Sequence, residues 1–278
     1  MTGTTTSEDP SDPAPPAWSG MVPVEDTALA VTDTGGVGVP VVYLNGSYAS
    51  RRHWSTVIAE LGPSYRHISF DERGRGRSRR SSDYSFAACL RDLDAVLTAR
   101  GADTPIVVGW SYGAFLALHW ADQHPDRAAA VVSVDGALPY GLTGEDGHER
   151  IRTLFARMRP VLPLLAPFGL AARMSAAQHA EVNIEINEIA ATCGAVLDRV
   201  SRPVQYVLAT GDSFGSSGGE QDEARAALDP HLAANPRLRV SSRVRSGHGA
   251  ILRKDPVAVA QAVREAHDLA RPDGGVAR

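Results

Sequence analysis

The stretch Gly109–Gly113, with the sequence GWSYG, could hold a nucleophilic serine between a strand and a helix. An apolar run leads into this stretch and a helical pattern follows at once, which predicts a strand, a tight turn and a helix. So sharp a reversal brings backbone segments close together, and the two glycines leave the room that it needs. The hydroxyl of Ser111 would then lie above a sheet, beside helix N-terminal N–H groups that stabilise negative charge. These features predict nucleophilic chemistry at Ser111.

The Gly-x-Ser-x-Gly pattern is not sufficient by itself. Residues 215–219, GSSGG, fit it equally well, yet they follow the polar segment TGDSF and no strand runs into them. The flanking strand and helix therefore distinguish Ser111 from a small turn residue.

A serine hydroxyl is a weak nucleophile until a base accepts its proton, so a histidine must approach it from elsewhere in the chain. The sequence contains nine histidines. His248 lies in a glycine-flanked turn between the last predicted strand and the last predicted helix, where a surface loop is expected. His119 and His124 lie on the helix that follows Ser111. The others, interpreted as structural or surface residues without metal-site spacing, are His53, His67, His148, His179, His231 and His267.

Strand and helix patterns alternate along most of the chain, which favours a parallel sheet covered on both faces. The alternation stops over residues 138–200, which are helical and proline-rich in pattern and show no clear strand. An insertion of this kind between two strands indicates a lid. The predicted strands are TALAVTDT, VVYLNG, YRHISFDE, PIVVGW, AAAVVSVDG, PVQYVLATG and RLRVSSRV.

Composition excludes several classes of function. A net charge of −4 over 278 residues gives no general attraction to nucleic acid or to an anionic membrane, and the basic run RGRGRSRR is short. Cys89 and Cys193 form no metal or disulfide pattern, which suits a reducing cytoplasm. The glycine-rich segments lack the third glycine and the strand-turn-helix setting of a dinucleotide site.

The N-terminal residues 1–20 contain acids and prolines instead of a basic region and an apolar core, so they are interpreted as a disordered leader and not as a signal peptide. The most apolar later segment, VLPLLAPFGLAA, is too short to span a bilayer and contains two prolines. We therefore expect no transmembrane segment.

The order of the motifs resembles the α/β-hydrolase superfamily over most of the chain. VVYLNGS looks like the family's oxyanion segment, FDERGRGRS like its Asp-x-Arg-Gly-x-Gly-x-Ser loop, GWSYG like its nucleophile elbow and SGHGAILRKDP like its histidine loop. The resemblance implies an α/β fold with a mostly parallel central sheet flanked by helices. It assigns residues 21–137 and 201–278 to the core, residues 138–200 to an inserted helical cap, and the arginines of RGRGRSRR to a structural loop.

The resemblance also implies an oxyanion hole made by the backbone N–H groups of Ser47 and Tyr112. The family's usual His-Gly pair is Asn45-Gly46 here, so the contacts that brace this loop are expected to differ. The acid that orients His248 has two candidates. Asp212 lies in the family's usual loop at the wrong offset, whereas Asp135 follows the strand after the nucleophile helix and is favoured, because chemistry in open α/β sheets gathers at carboxyl strand ends.

The resemblance implies a serine hydrolase that cleaves a small or medium apolar ester, lactone or related acyl compound, without cofactor or metal. A serine at the elbow, where an aspartate would stand, argues against epoxide hydrolase and haloalkane dehalogenase chemistry. Two alternatives stay open: a lyase or cyclase on the same scaffold, and a ligand-binding receptor of hydrolase fold.

Overall fold

The computed structural model describes residues 14–166, 171–211 and 218–271. Its strands are β1 (Trp18–Val24), β2 (Thr27–Asp33), β3 (Val39–Leu44), β4 (Tyr65–Phe70), β5 (Ile106–Trp110), β6 (Ala130–Val134), β7 (Val204–Ala209) and β8 (Leu238–Val244). Within the described ranges they form one sheet, in the order β1-β2-β4-β3-β5-β6-β7-β8. The β1–β2 and β2–β4 pairings are antiparallel and the others are parallel, which confirms the predicted mostly parallel sheet.

Strand β1 was not predicted from the sequence, and it includes the last three residues of the segment interpreted as a disordered leader. Trp18 pairs with Asp33 of β2. The guanidinium of Arg100 lies 4.5 Å from the centre of the Trp18 ring. β1 is an edge strand, a position that tolerates Pro23 because one row of its backbone groups needs no ladder partner. The strand was missed because it contains a glycine and a proline and alternates exposed residues with less exposed ones, so it has no continuous apolar run.

The helices are α1 (Ser55–Leu61), α2 (Phe86–Arg100), α3 (Tyr112–Gln123), α4 (Gly144–Met158), α5 (Leu162–Leu165), α6 (Ala176–Thr192), α7 (Gly194–Arg199), α8 (Gly218–Ala226), α9 (Asp229–Ala234), α10 (Ile251–Lys254) and α11 (Pro256–Ala270). Helix α2 has a cap at each end. The Ser85 side chain caps α2 by accepting from Ala88 N at 3.2 Å, and Gly101 ends the helix at φ 53°.

Strand β5 is buried on both faces because successive side chains point to opposite sides of the sheet. Val107 packs in the apolar cluster that includes Leu116 of α3, whereas Val108 packs in the cluster that includes Val263 of α11. All four side chains are fully buried, and each such burial stabilises the fold by about 1.5–3 kcal/mol. The continuous apolar runs in the sequence thus place the sheet between two helical layers.

The chain between β6 and β7 contains α4, α5, α6 and α7, in agreement with the helical pattern of that region. Helices α4 and α6 pack against each other around a small apolar cluster of their own, which includes Ile151, Phe155 and Ile184. None of the helices in the described ranges has both the length and the apolar character needed to cross a membrane.

Candidate active site

Ser111 lies between the last residue of β5 and the first residue of α3, as the elbow pattern predicts. Its backbone has φ 55° and ψ −116°, a strained conformation for a residue with a side chain. A hydrogen bond to the neighbouring strand holds this backbone conformation, because Ser111 N donates to Val134 O of β6 at 3.1 Å. The sheet therefore fixes the direction of the serine side chain.

The glycines on either side of Ser111 are required by close backbone contacts. A Cβ at Gly109 would lie 2.1 Å from Gly113 O, and a Cβ at Gly113 would lie 2.3 Å from Leu44 O at the end of β3. Distances this short mean that backbone must move to admit any side chain. The α3 N-terminus therefore approaches β3 as closely as glycine alone permits.

Replacing Gly113 with alanine is expected to destabilise the protein by about 1–3 kcal/mol, the usual cost of overpacking a close contact. Urea unfolding measures this change. The matched control is Gly249→Ala, because a methyl group there meets nothing within 4 Å. Equal stabilities for the two variants would contradict the close approach of α3 to β3.

The structure brings three of the candidate residues into one hydrogen-bonded chain. His248 Nε2 lies 2.9 Å from Ser111 Oγ, and His248 Nδ1 lies 2.8 Å from Asp135 Oδ2. With the ring proton on Nδ1, the histidine donates to the carboxylate and accepts from the serine hydroxyl. The Asp135 side chain is 3% exposed and that of His248 is 31% exposed, so a buried acid faces a base that solvent and substrate can reach.

Asp135 is fixed on the side of its carboxylate that faces away from the histidine. Its Oδ1 accepts from Ala209 N at 3.0 Å and lies 3.6 Å from Arg225 Nε. Its own N–H donates to Val207 O at 2.8 Å, and its backbone has φ 44°. The carboxylate is thus positioned from β7 as well as from the end of β6. The other candidate acid, Asp212, lies outside the described residues.

The loop that carries Ser47 is braced by a buried polar network around Asn45. Asn45 Nδ2 donates to Phe70 O and to Glu72 Oε2, both at 2.7 Å, and Asn45 N donates to Glu72 Oε1 at 2.7 Å. Asn45 Oδ1 accepts from Trp54 Nε1 at 3.0 Å. Burial raises the pKa of the Glu72 carboxyl, a shift that these hydrogen bonds and the charge of Arg75 oppose. The amide of Asn45 therefore has partners for its oxygen and for both of its N–H groups.

Arg75 connects the two residues proposed to stabilise an oxyanion. Its Nε donates to Ser47 O at 2.7 Å, and its guanidinium lies 5.4 Å from the centre of the Tyr112 ring. The residue is 3% exposed. A buried cation thus lies against the Ser47 loop and the first residue of α3, which carry the two candidate N–H donors.

A cavity of about 590 Å³ opens over Ser111 and His248, and its wall includes Ser47 and Tyr112. Helix α6 forms the opposite wall and is tied to the Ser47 loop, because Asn183 Nδ2 donates to Tyr48 OH at 3.1 Å. A smaller cavity of about 190 Å³ adjoins it on the Asp135 side. The remaining lining residues of the larger cavity are Gly46, Ala49, His53, Trp110, Phe115, Tyr140, Ile186, Asn187, Ala190 and Gly249.

Two histidines near the elbow in sequence or space are occupied in packing. His119 packs edge-on against Phe86, and His179 stacks on Phe155; burial lowers the pKa of both imidazoles. Among residues 14–166, 171–211 and 218–271, no three His, Cys, Asp or Glu side chains are grouped so that they could hold a metal ion.

Comparison with known proteins identifies the family. The family model described as alpha/beta hydrolase fold matches residues 39–234, which is most of the chain. The protein belongs to the α/β-hydrolase family. The matched range includes the elbow, Asp135 and the helical segment over the site.

Curated relatives of this α/β-hydrolase match over shorter segments. A haloalkane dehalogenase from Mesorhizobium japonicum is 30% identical over 142 residues, which cover 50% of this chain and 46% of the relative. Epoxide hydrolase B from Mycobacterium tuberculosis is 37% identical over 131 residues, covering 44% of this chain and 37% of the relative. The matches thus span less than half the length of these relatives.

Solved structures extend the likeness of the fold to nearly the whole α/β-hydrolase. The haloalkane dehalogenase DatA from Agrobacterium tumefaciens C58 superposes with a TM-score of 0.68, covering 92% of this chain and 97% of that chain. Sequence identity over this match is 18%, so the comparison concerns the fold.

Several residues of this α/β-hydrolase site were not identified from the sequence. Arg75 was grouped with the structural arginines of its loop, although its place between two glycines at the turn was a usable signal. Glu72 and Trp54 gave no local signal, because each meets Asn45 only through the packing of separate elements. The cavity wall formed by α6 also had no local signature.

Proposed function

We propose that this protein is a serine hydrolase that acts by acyl transfer. The observation that carries the proposal is the hydrogen-bonded chain from Ser111 Oγ through His248 to Asp135, with 2.9 Å and 2.8 Å between its members. A serine in this arrangement is activated because the imidazole accepts its proton and the carboxylate stabilises the imidazolium that forms.

In the first half-reaction, Ser111 Oγ attacks the acyl carbonyl and its proton passes to His248 Nε2. The resulting oxyanion accepts hydrogen bonds from the N–H groups of Ser47 and Tyr112. The bond to the leaving group then breaks, and His248 returns the proton to that group. In the second half-reaction, His248 takes a proton from water as the water oxygen attacks the acyl-serine carbonyl. The bond to Ser111 Oγ then breaks and His248 returns the proton to that oxygen, which releases the carboxylic acid and restores Ser111.

The proposed substrate is a small or medium ester, lactone or related acyl compound. Phe115, Ile186 and Ala190 supply apolar wall to the cavity, and Asn183 and Asn187 supply amide groups. A site of mostly apolar walls with a few polar groups is typical of small-molecule binding. Relatives named as hydrolases of halides and epoxides support hydrolysis in general, and the serine favours acyl compounds.

The test is labelling with a fluorophosphonate, followed by intact-mass measurement of the wild type and of Ser111→Ala. We expect one adduct on the wild type and none on the variant. Unlabelled wild type is then assayed with esters and lactones in ¹⁸O-water, where hydrolysis must place solvent oxygen in the acid product.

A folded wild type without an adduct would contradict an activated Ser111. Turnover without solvent oxygen in the product would contradict hydrolysis and favour a lyase or cyclase. Ligand-dependent thermal stabilisation without any turnover would favour a receptor.

A further inference from the structure

A second cavity of about 380 Å³ adjoins the cavity over Ser111. The two share three wall residues, His53, Trp110 and Gly249. The other residues that line the second cavity are Arg52, Ser55, Thr56, Leu252 and Arg253. The two adjoining spaces are together called the groove: Ser111 lines one of them, a pair of arginines lines the other, and Trp110 lies in the wall that they share.

Charge is distributed unevenly along this groove. No Asp, Glu, Lys or Arg is among the described residues that line the cavity over Ser111, whereas the second cavity has two arginines and no carboxylate. Arg52 and Arg253 are both exposed, and neither makes an ion pair with a residue in the described ranges. In a chain with a net charge of −4, this end of the groove is locally cationic.

The two arginines stand on backbone that is fixed relative to the catalytic histidine. Trp110 Nε1 donates to His248 O at 3.2 Å, which holds the shared wall at Trp110 against the histidine loop. Thr56 Oγ1 donates to Leu252 O at 2.7 Å and ties the start of α1 to α10. The cationic end thus lies at a set position beside His248.

Because the second cavity lies beside His248, it is the leaving group of the substrate that would enter it. His248 must return its proton to the leaving group, so the leaving group lies on the histidine side of Ser111. The second cavity is lined by the chain neighbours of both catalytic residues, Trp110 before Ser111 and Gly249 after His248. A long leaving group would therefore extend past Trp110 towards Arg52 and Arg253.

We propose that this protein acts on acyl esters whose leaving group ends in a phosphate, and that Arg52 and Arg253 bind that phosphate. The inference rests on the proposed serine hydrolase function. Two guanidinium groups suit a phosphate because each presents paired N–H donors and a full positive charge to its oxygens. Arg52 and Arg253 then determine specificity at a distance from the bond that is cleaved.

The experiment uses monobutyrate esters of alkanediols with short, medium and long chains. Each is compared with the same ester phosphorylated on its second hydroxyl. For a chain long enough to reach the arginines, we expect kcat/KM of the wild type to be about tenfold higher for the phosphorylated ester at low salt. The ratio should shrink as salt screens the charges.

In the double variant Arg52→Gln/Arg253→Gln, the ratio of the two kcat/KM values is expected to fall to about one. The matched control is Arg237→Gln/Arg239→Gln, which removes the same charge from exposed arginines that do not line either cavity and should keep the wild-type ratio. This comparison separates local binding from the effect of net charge.

The inference would be overturned if the wild type showed no preference for the phosphorylated ester, or if Arg52→Gln/Arg253→Gln kept the wild-type preference. It would also be overturned if neither ester series were cleaved by a preparation whose Ser111 reacts with the fluorophosphonate in a separate sample. Each of these leaves the activated serine in place. Failure of the label itself would instead contradict the proposed function, and the inference would fall with it.

Discussion

Replacing Ser111 with alanine is expected to lower kcat about a millionfold, towards the rate that binding and the oxyanion hole sustain without a nucleophile. The reason is that Ser111 Oγ lies 2.9 Å from His248 Nε2 and is the oxygen that this imidazole activates. Alanine removes that oxygen. Steady-state kinetics on an ester cleaved by the wild type measure the change.

The control for this prediction is the double variant Ser111→Ala/His248→Ala. Because the two residues act as a unit, the double variant should lose no more activity than Ser111→Ala does. A larger loss in the double variant than in Ser111→Ala would show that His248 contributes independently of Ser111. Thermal melting should show all three proteins folded, since alanine at position 111 keeps the backbone and removes only the hydroxyl.

Replacing Asp135 with asparagine is expected to lower kcat about ten-thousandfold through the wrong tautomer of His248. Ala209 N–H donates to Oδ1 of the acid and Arg225 lies on the same side, so the amide oxygen of asparagine should occupy that position. Its NH₂ group would then face His248 Nδ1 and require a lone pair there. The proton would move to Nε2, which could no longer accept from Ser111.

The matched variant is Asp212→Asn, at the other acid considered from the sequence. If Asp135 orients the histidine, Asp212→Asn should keep kcat close to the wild-type value, measured on the same ester. A larger loss in Asp212→Asn than in Asp135→Asn would transfer the role of the acid to position 212.

The fold class could be predicted because its signals are local. A buried parallel strand such as β5 needs a continuous apolar run, and a helix such as α2 shows its spacing and its caps within a few residues. The hairpin strand β1 escaped prediction because pairing with β2, and not its own composition, makes it a strand.

Seven strands of the sheet, the elbow at Ser111 and the turn that carries His248 were predictable from sequence, since each has its signal in residues that are close together along the chain. Packing was needed to show that Asp135 reaches His248, that Glu72 and Trp54 satisfy Asn45, and that a cavity lined by two arginines adjoins the cavity over Ser111. These contacts join residues of different strands, helices and loops. Their distances follow from how strands and helices pack, and no local pattern of residues records that.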